Sequence, residues 1–260
     1  MSTLRVPVDE AGAIDIIAIH GLGGHYKNTW KWVSEDGTQE HDWLVEFLPK
    51  QIPNARIMTY GYNSAVQFSK SVADIRVFAT QLLNDLETKR LTPCQECRPI
   101  VFICHSLGGL VFKRATNEQH RFSDTLGHIQ GVAFFATPHT GASLANWGAM
   151  FGKILKASSV GTSGNTKPLK DLENRGAVVQ DITRSAIDRL KMLPTILTFI
   201  ETETMPYLGF RVVDEDSAVL NLPNEQRFFM NANHLNICKF KDPEGPYEQV
   251  SVRLKAMSDA

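Results

Sequence analysis

The stretch Pro99–Ala115, "PIVFICHSLGGLVFKRA", decides how the rest of the chain is read. It runs as an unbroken apolar segment, halts at His105 and Ser106, passes Gly108 and Gly109, and resumes with helical amphipathicity. A serine at a strand end is either a turn residue or a hydroxyl deliberately presented at the edge of a sheet. Presentation needs a tight strand-turn-helix elbow, whose residues two before and two after the serine must be small. Those positions are Cys104 and Gly108. The usual pattern is G-x-S-x-G, so C-H-S-L-G departs at its first glycine, with a cysteine small enough to fit. The helix that opens at Leu107 points amides and partial positive charge toward any anion formed at the serine.

Working outward, apolar runs of strand length recur at Ala13–Gly21, Ala55–Tyr62, Pro99–His105, Gly131–Pro138, Thr195–Glu201 and Arg227–Ala232. They do not alternate polar with apolar, which implies burial on both faces, as in a parallel sheet covered by helices. Helical periodicity lies between them. Phe68, Val72, Ile75, Ala79, Leu82 and Leu86 form one stripe, and Tyr247, Val250, Leu254 and Met257 form the face of a closing helix. Alternation of strand and helix predicts an α/β domain with a mostly parallel central sheet and helices on both faces. The stretch between the fourth and fifth predicted strands is longer than a crossover needs. Residues 142–193 are therefore a cap candidate, with one helix carrying Trp147, Met150, Phe151, Ile154 and Leu155 and a second running through Leu169, Leu172, Val179, Ile182 and Leu190. The plainer expectation is that both helices simply cover the sheet.

The bulk composition fits one domain over residues 1–260, with 43% hydrophobic and 21% charged residues. A net charge of −1 with scattered lysine and arginine gives no basic stripe for phosphate, which argues against a nucleic-acid partner. The first residues lack a secretory signal, and no apolar run reaches the roughly 20 residues of a membrane span. A soluble, cytoplasmic protein is expected. Four cysteines are too few for a disulfide framework. Cys94 and Cys97 form a C-x-x-C without the second ligand pair that zinc requires, so an incidental loop pair is expected and no metal site.

A nucleophilic serine needs a base, a group to hold that base, and donors for the oxyanion. The first strand ends in "HGLGGH", His20–His25, whose glycines let backbone amides approach a reacting carbonyl. Leu22 or Gly23, paired with the Leu107 amide, are the oxyanion-hole candidates; one such donor is worth about 3 to 4 kcal/mol. Among eight histidines, only His234 follows the last strand, as the order serine, acid, histidine requires. His105, adjacent to the serine along a strand, should point to the opposite face. His139 is a candidate for lining a substrate site or for a structural role. Glu201, at a strand end, and Asp214 both satisfy the order for the acid, while Asp216 and Ser217 read as the N-cap region of a helix starting at Ala218.

With "HGLGG", "RIMTYGY", "CHSLGGLVFKRA", "FFATPHTGASLANWG", "FIET", "VVDEDSAVL" and "NHLNICKF" in that order, the sequence resembles the α/β-hydrolase superfamily. Within it the likeness is to the serine esterase/lipase-like group containing GPI inositol-deacylase relatives and serine-active-site-containing proteins, and to the N-terminal hydrolase-like domains of fungal NLR (NACHT or NB-ARC) proteins. The resemblance implies Ser106 as nucleophile, His234 as base, and Glu201 favoured over Asp214 as acid, because relatives can carry proline at the latter position. Asn233 stands where family patterns often show aspartate. The implied activity is hydrolysis of a lipid or other acyl ester through an acyl-enzyme, without metal or cofactor, with peripheral membrane contact and oligomerisation through a larger parent chain among the implied associations. The alternative it implies is a hydrolase-fold signalling module with weak, gated or absent activity.

Overall fold

A computed structural model describes residues 1–5, 13–64, 73–139, 170–206 and 209–259. The apolar run before Ser106 is strand β6, Ile100–His105, buried throughout. Its side chains serve both faces of the sheet, as unbroken hydrophobicity requires. Ile100, Phe102 and Cys104 pack with one buried cluster, and Val101 and Ile103 with another.

The remaining strands are β1 (Ser2–Arg5), β2 (Ile14–Ile19), β3 (Lys31–Val33), β4 (Glu40–Asp42), β5 (Ala55–Tyr60), β7 (Ile129–Phe135), β8 (Thr195–Glu201) and β9 (Glu225–Met230). Seven make one sheet in the order β1-β5-β2-β6-β7-β8-β9, parallel except for β1. Strands β3 and β4 form a separate antiparallel pair. The six expected strands are all present, within three residues at their ends. Sequence reasoning missed β1, β3 and β4, because four and three residues of mixed polarity carry no periodic signal. Expected burial on both faces also fails at β9. As an edge strand it leaves Phe229 55% exposed.

On one face lie the helices Ala73–Thr88, Leu107–Ala115 and Lys170–Met192, contributing Ile75, Ala79, Leu82 and Leu86, then Leu110 and Val111, then Ile182, Ala186 and Leu190. On the other lies Pro246–Ser258, whose Tyr247, Val250, Leu254 and Met257 join Trp30, Trp43 and Phe47. Phe68, Val72 and the first cap helix, through Trp147 to Leu155, lie outside the described residues. Ile182, Ala186 and Leu190 of the second helix pack in the core on this face.

Two buried polar groups tie these layers together. At the N-terminal edge of the parallel strands, Asp15 on β2 is fully buried and receives Arg56 through Nε and a terminal nitrogen, both at 2.7 Å, and Arg90 at 2.6 Å, with Arg98 at 3.6 Å. One carboxylate thus neutralises part of a guanidinium cluster that also donates to the carbonyls of Lys89 and Arg98. The second group is Lys113, 0% exposed on the helix after Ser106. Its Nζ lies 2.8 Å from Thr183 Oγ1, 3.1 Å from His139 Nδ1 and 3.2 Å from the Pro138 carbonyl oxygen. No ion pair joins it to a carboxylate among the described residues, and burial holds its amine well below the ordinary 10.5.

Replacing Asp15 by Asn should cost about 3 to 5 kcal/mol of unfolding free energy, because three buried guanidinium groups would lose their counter-charge. Equilibrium denaturation reads this directly. For Lys113, the unfolded chain binds the proton that the folded chain rejects between the depressed folded pKa and 10.5. Stability from this group therefore rises with pH through that window, by up to about 1.4 kcal/mol per pH unit. The difference in stability between wild type and Lys113→Met, measured from pH 7 to 9, should carry that slope.

Candidate active site

Ser106 occupies the elbow between β6 and the helix Leu107–Ala115, with φ 52° and ψ −120°. For a non-glycine residue this backbone is strained and persists only where its surroundings enforce it. Its N–H donates to the Phe135 carbonyl of β7 at 2.9 Å, and its carbonyl accepts from Thr137 Oγ1 at 3.2 Å and the Gly109 N–H at 3.1 Å. The crowding expected of an elbow is present. A Cβ on Gly108 would stand 2.4 Å from the Ile19 carbonyl oxygen, so only glycine lets the helix approach the end of β2.

Across 128 positions of sequence, His234 Nε2 lies 3.0 Å from Ser106 Oγ. His234 follows β9 in a turn built by Asn233, whose Oδ1 accepts from the N–H groups of Leu235 at 3.1 Å and Asn236 at 3.2 Å. Asn233 therefore needs its side-chain oxygen, not a charge, which explains why the amide suffices where aspartate was expected. Behind the imidazole, Glu201 at the end of β8 places Oε2 3.5 Å from His234 Nδ1. Neither of those two atoms has a hydrogen-bond partner among the described residues, so each faces the other as its counterpart. The second oxygen of Glu201 accepts a short bond from the Val213 N–H, which fixes the carboxylate plane.

Asp214 is a correction. It is exposed and caps the helical turn Glu215–Ala218, its Oδ1 accepting from the Ser217 N–H at 2.8 Å. The cap expected at Asp216 and Ser217 starts two residues earlier, and the Asp214 carboxylate faces that turn instead of His234.

The turn His20–Gly24 overlies the elbow, and a Cβ on Gly21 would meet the Ser106 Cβ at 2.7 Å. The segment after β5 clamps the turn. Ser64 Oγ accepts from the Gly23 N–H at 3.0 Å and donates to the Gly21 carbonyl at 3.1 Å. Tyr62 stacks on His20 at 4.4 Å and donates its hydroxyl to the His20 carbonyl at 2.8 Å. Burial lowers the His20 pKa to about 4, so this ring is neutral. Gly23 is thus a second correction, because Ser64 takes up its amide. Leu22 lies in the same turn, and Leu107 is the first helical residue after Ser106, where an amide has no acceptor within its own helix.

His139 is placed away from a substrate-lining role. Its ring is 1% exposed, lies with Nδ1 3.1 Å from Lys113 Nζ and packs edge-on against Phe134 at 4.6 Å. His105 departs from expectation in the opposite sense. Because the backbone leaves strand geometry at Ser106, strand alternation no longer separates the two neighbours. The His105 ring lies 5.1 Å from that of His234, and its Nε2 is 2.8 Å from the His234 carbonyl. Tyr62, Ser64 and Val213 escaped sequence reasoning; the first two lie in the "GYNS" that follows β5, a turn-like segment right after a strand end. Cys94, within the helical turn Pro93–Glu96, and Cys97, which follows it, are exposed and not joined in a disulfide.

Ser106 and His234 are both 0% exposed. A nearby cavity of about 250 Å³ is lined by Leu22, Gly23, Thr29, His105, Leu235 and Lys239, among others.

Residues 15–176 match the family described as "Putative serine esterase (DUF676)". The chain belongs to that serine esterase family. The matched span of this family member includes the glycine turn and the elbow, while Glu201 and His234 lie beyond it. Among curated proteins it is similar to protein SERAC1 of Bos taurus, 28% identical over 253 residues, and to that of Homo sapiens, 28% identical over 249 residues. Each match takes 87% of this chain and 36% of the relative, so the chain spans about a third of their length. Among solved structures it is similar to the lipase BlEst2 of Bacillus licheniformis, with TM-score 0.57, 16% identity, and coverage of 96% of this chain and 95% of that one. The esterase RhEst1 of Rhodococcus gives TM-score 0.52 and 15% identity, covering 98% and 94%. These likenesses show the α/β-hydrolase fold. No helix of the described residues is long and apolar enough to cross a membrane.

Replacing Gly108 by Ala should press a methyl group into the Ile19 backbone and cost about 1 to 3 kcal/mol, the usual range for overpacking. Thermal unfolding of this variant against wild type measures the loss.

Proposed function

We propose that this member of the serine esterase family cleaves a carboxylic ester, of a lipid or another acyl compound, through a Ser106-His234-Glu201 relay and an acyl-enzyme. The observation that carries the reading is the 3.0 Å contact between Ser106 Oγ and His234 Nε2. That contact joins the strained elbow to the far end of the chain and gives the hydroxyl a base in line with its proton. Ser106 Oγ attacks the ester carbonyl while Nε2 takes its proton. The resulting imidazolium is stabilised and oriented by Glu201, which the Val213 amide holds in place. The Leu107 amide, with one from the turn at Leu22, receives the oxyanion. Nε2 then returns the proton to the departing alkoxide, leaving Ser106 acylated. Water, deprotonated by the same nitrogen, attacks the acyl carbon and releases the acid and the free serine. Acyl and lipid esters are the substrates favoured by the esterase and lipase neighbours of this fold.

A second reading draws on one specific observation. With both Ser106 and His234 at 0% exposure, an ester reaches the hydroxyl only after the turn or its surroundings move. This favours an enzyme whose activity is gated, as in a hydrolase-fold signalling module. A fluorophosphonate probe separates the two. Steady labelling of wild type, lost in Ser106→Ala, supports the open esterase, whereas labelling that rises only on adding detergent or lipid vesicles supports gating. A folded protein whose Ser106 never labels under either condition would remove the hydrolytic reading. For the acid, Glu201→Gln should lower kcat by about 10⁴, as loss of an orienting carboxylate does elsewhere. Asp214→Ala should change kcat little and lower stability by about 0.5 to 2 kcal/mol, the cost of a lost cap. Equal effects on kcat would overturn the assignment.

A further inference from the structure

Ser106 meets its base at one point, and the residue before it meets the same histidine at another. Ser106 Oγ lies 3.0 Å from His234 Nε2, while His105 Nε2 lies 2.8 Å from the His234 carbonyl oxygen. A carbonyl oxygen only accepts, so His105 Nε2 carries the hydrogen. The two imidazoles also pack together, tilted by 45° with centroids 5.1 Å apart. A dipeptide at the end of β6 thus holds the base by its main chain and by its ring.

The other restraints on His234 act beside it or loosely. The bonds of its turn end on Asn233, whose carbonyl accepts from the N–H groups of Asn236 and Ile237, both at 3.0 Å, and whose side chain accepts from Leu235 and Asn236. On the ring, Glu201 Oε2 stands 3.5 Å from Nδ1, beyond the about 2.7 to 3.2 Å of an ordinary N–H···O bond. His234 is 0% exposed, so bulk water does not replace a donor lost at its carbonyl. His105 is suited to supply that donor. It is buried at a strand end, and Nδ1, its other ring nitrogen, has no hydrogen-bond partner among the described residues. Burial, and then the charge that His234 can carry, hold the His105 pKa well below 6.5, so the donor is neutral. Gly21 closes the other side without slack: a Cβ there would stand 3.0 Å from His105 Nδ1 and 2.7 Å from the Ser106 Cβ.

Resting on the serine esterase mechanism above, we propose that His105 is a positioning residue for the base: its Nε2–H, donating to the His234 carbonyl, fixes the main chain from which the imidazole serves Ser106 Oγ and then the departing alkoxide. His105 acts through His234 and makes no contact with substrate. A catalytic group displaced by about 1 Å can lose about 10²-fold in rate. Because ester binding does not pass through this bond, the loss falls on kcat and leaves KM alone.

The test follows turnover of p-nitrophenyl butyrate, with detergent or lipid vesicles added where Ser106 labelling requires them. His105→Gln sets an amide nitrogen where Nε2 stood and keeps the donor. His105→Asn is one carbon too short to reach, and His105→Phe keeps a ring but has no donor. His105→Asn and His105→Phe should each lower kcat about 100-fold with KM within about twofold of wild type, whereas His105→Gln should hold kcat within about fivefold. In His234→Ala, whose residual rate still exceeds the uncatalysed one, adding His105→Asn should bring no further loss, because no imidazole is left to position. The proposal is overturned if His105→Asn or His105→Phe folds and keeps the wild-type kcat, if His105→Gln loses as much as they do, or if His105→Asn costs as much in the His234→Ala background. It is overturned too if neither His105→Asn nor His105→Phe shows a cooperative thermal transition, since the bond is then a requirement of folding. A steep loss of turnover in Ser106→Ala and His234→Ala leaves the esterase reading standing through any of these results. Turnover independent of Ser106 would overturn that reading and this proposal together.

Discussion

The strained backbone at Ser106 is the constraint on which the site depends. A serine at φ 52° lies in a region that L-residues adopt only under external restraint. The restraint comes from three directions. Strand β7 accepts the Ser106 N–H, Thr137 and Gly109 donate to its carbonyl, and the absence of a side chain at Gly108 lets the helix close against β2. Without this bend the chain would continue along β6 and the hydroxyl would alternate into the sheet. With it, Ser106 stands at the C-terminal edge, where the ends of β2 and β8 and the loop after β9 converge. The turn, the carboxylate and the imidazole reach one place because a single sheet orders their strands.

Much of this was legible in the chain. Unbroken apolar runs give buried parallel strands with little ambiguity, and the helical stripes from Ile75 to Leu86 and from Tyr247 to Met257 are buried as their spacing requires. Ser106 and His234 could be singled out as candidates because chain order and strand ends restrict the choices, while Glu201 stayed one of two candidates for the acid. What stayed illegible has physical reasons. Short strands such as β1 leave no period. Asp214 and Glu201 both sit in plausible order, and only the direction of a side chain separates them. The occupation of the Gly23 amide by Ser64 is a contact 41 positions apart that no local pattern announces. His105 was misjudged because alternation was carried one residue past the end of the strand.

The buried polar groups divide the labour of holding the fold. Asp15 and its arginines close the N-terminal edge of the sheet, far from the chemistry. Lys113, drawn into the interior, links the elbow helix to the loop after β7 and to the helix Lys170–Met192. At the opposite edge, every imidazole packed near Ser106 is assigned a hydrogen position by a carbonyl, an amide or a hydroxyl. His20, His105 and His234 thus form a layer of rings whose tautomers are set by the backbone as much as by side chains.

The bond from the Val213 main chain to Glu201 has an evolutionary side. A peptide N–H is supplied by every amino acid except proline, so the group that steadies the acid is indifferent to which side chain occurs there. The Val213 side chain is fully buried in the core, so packing limits what can stand there, but any residue that packs and is not proline keeps the bond to the carboxylate. A comparison of homologues that looks only for invariant side chains would pass over a working part of the site.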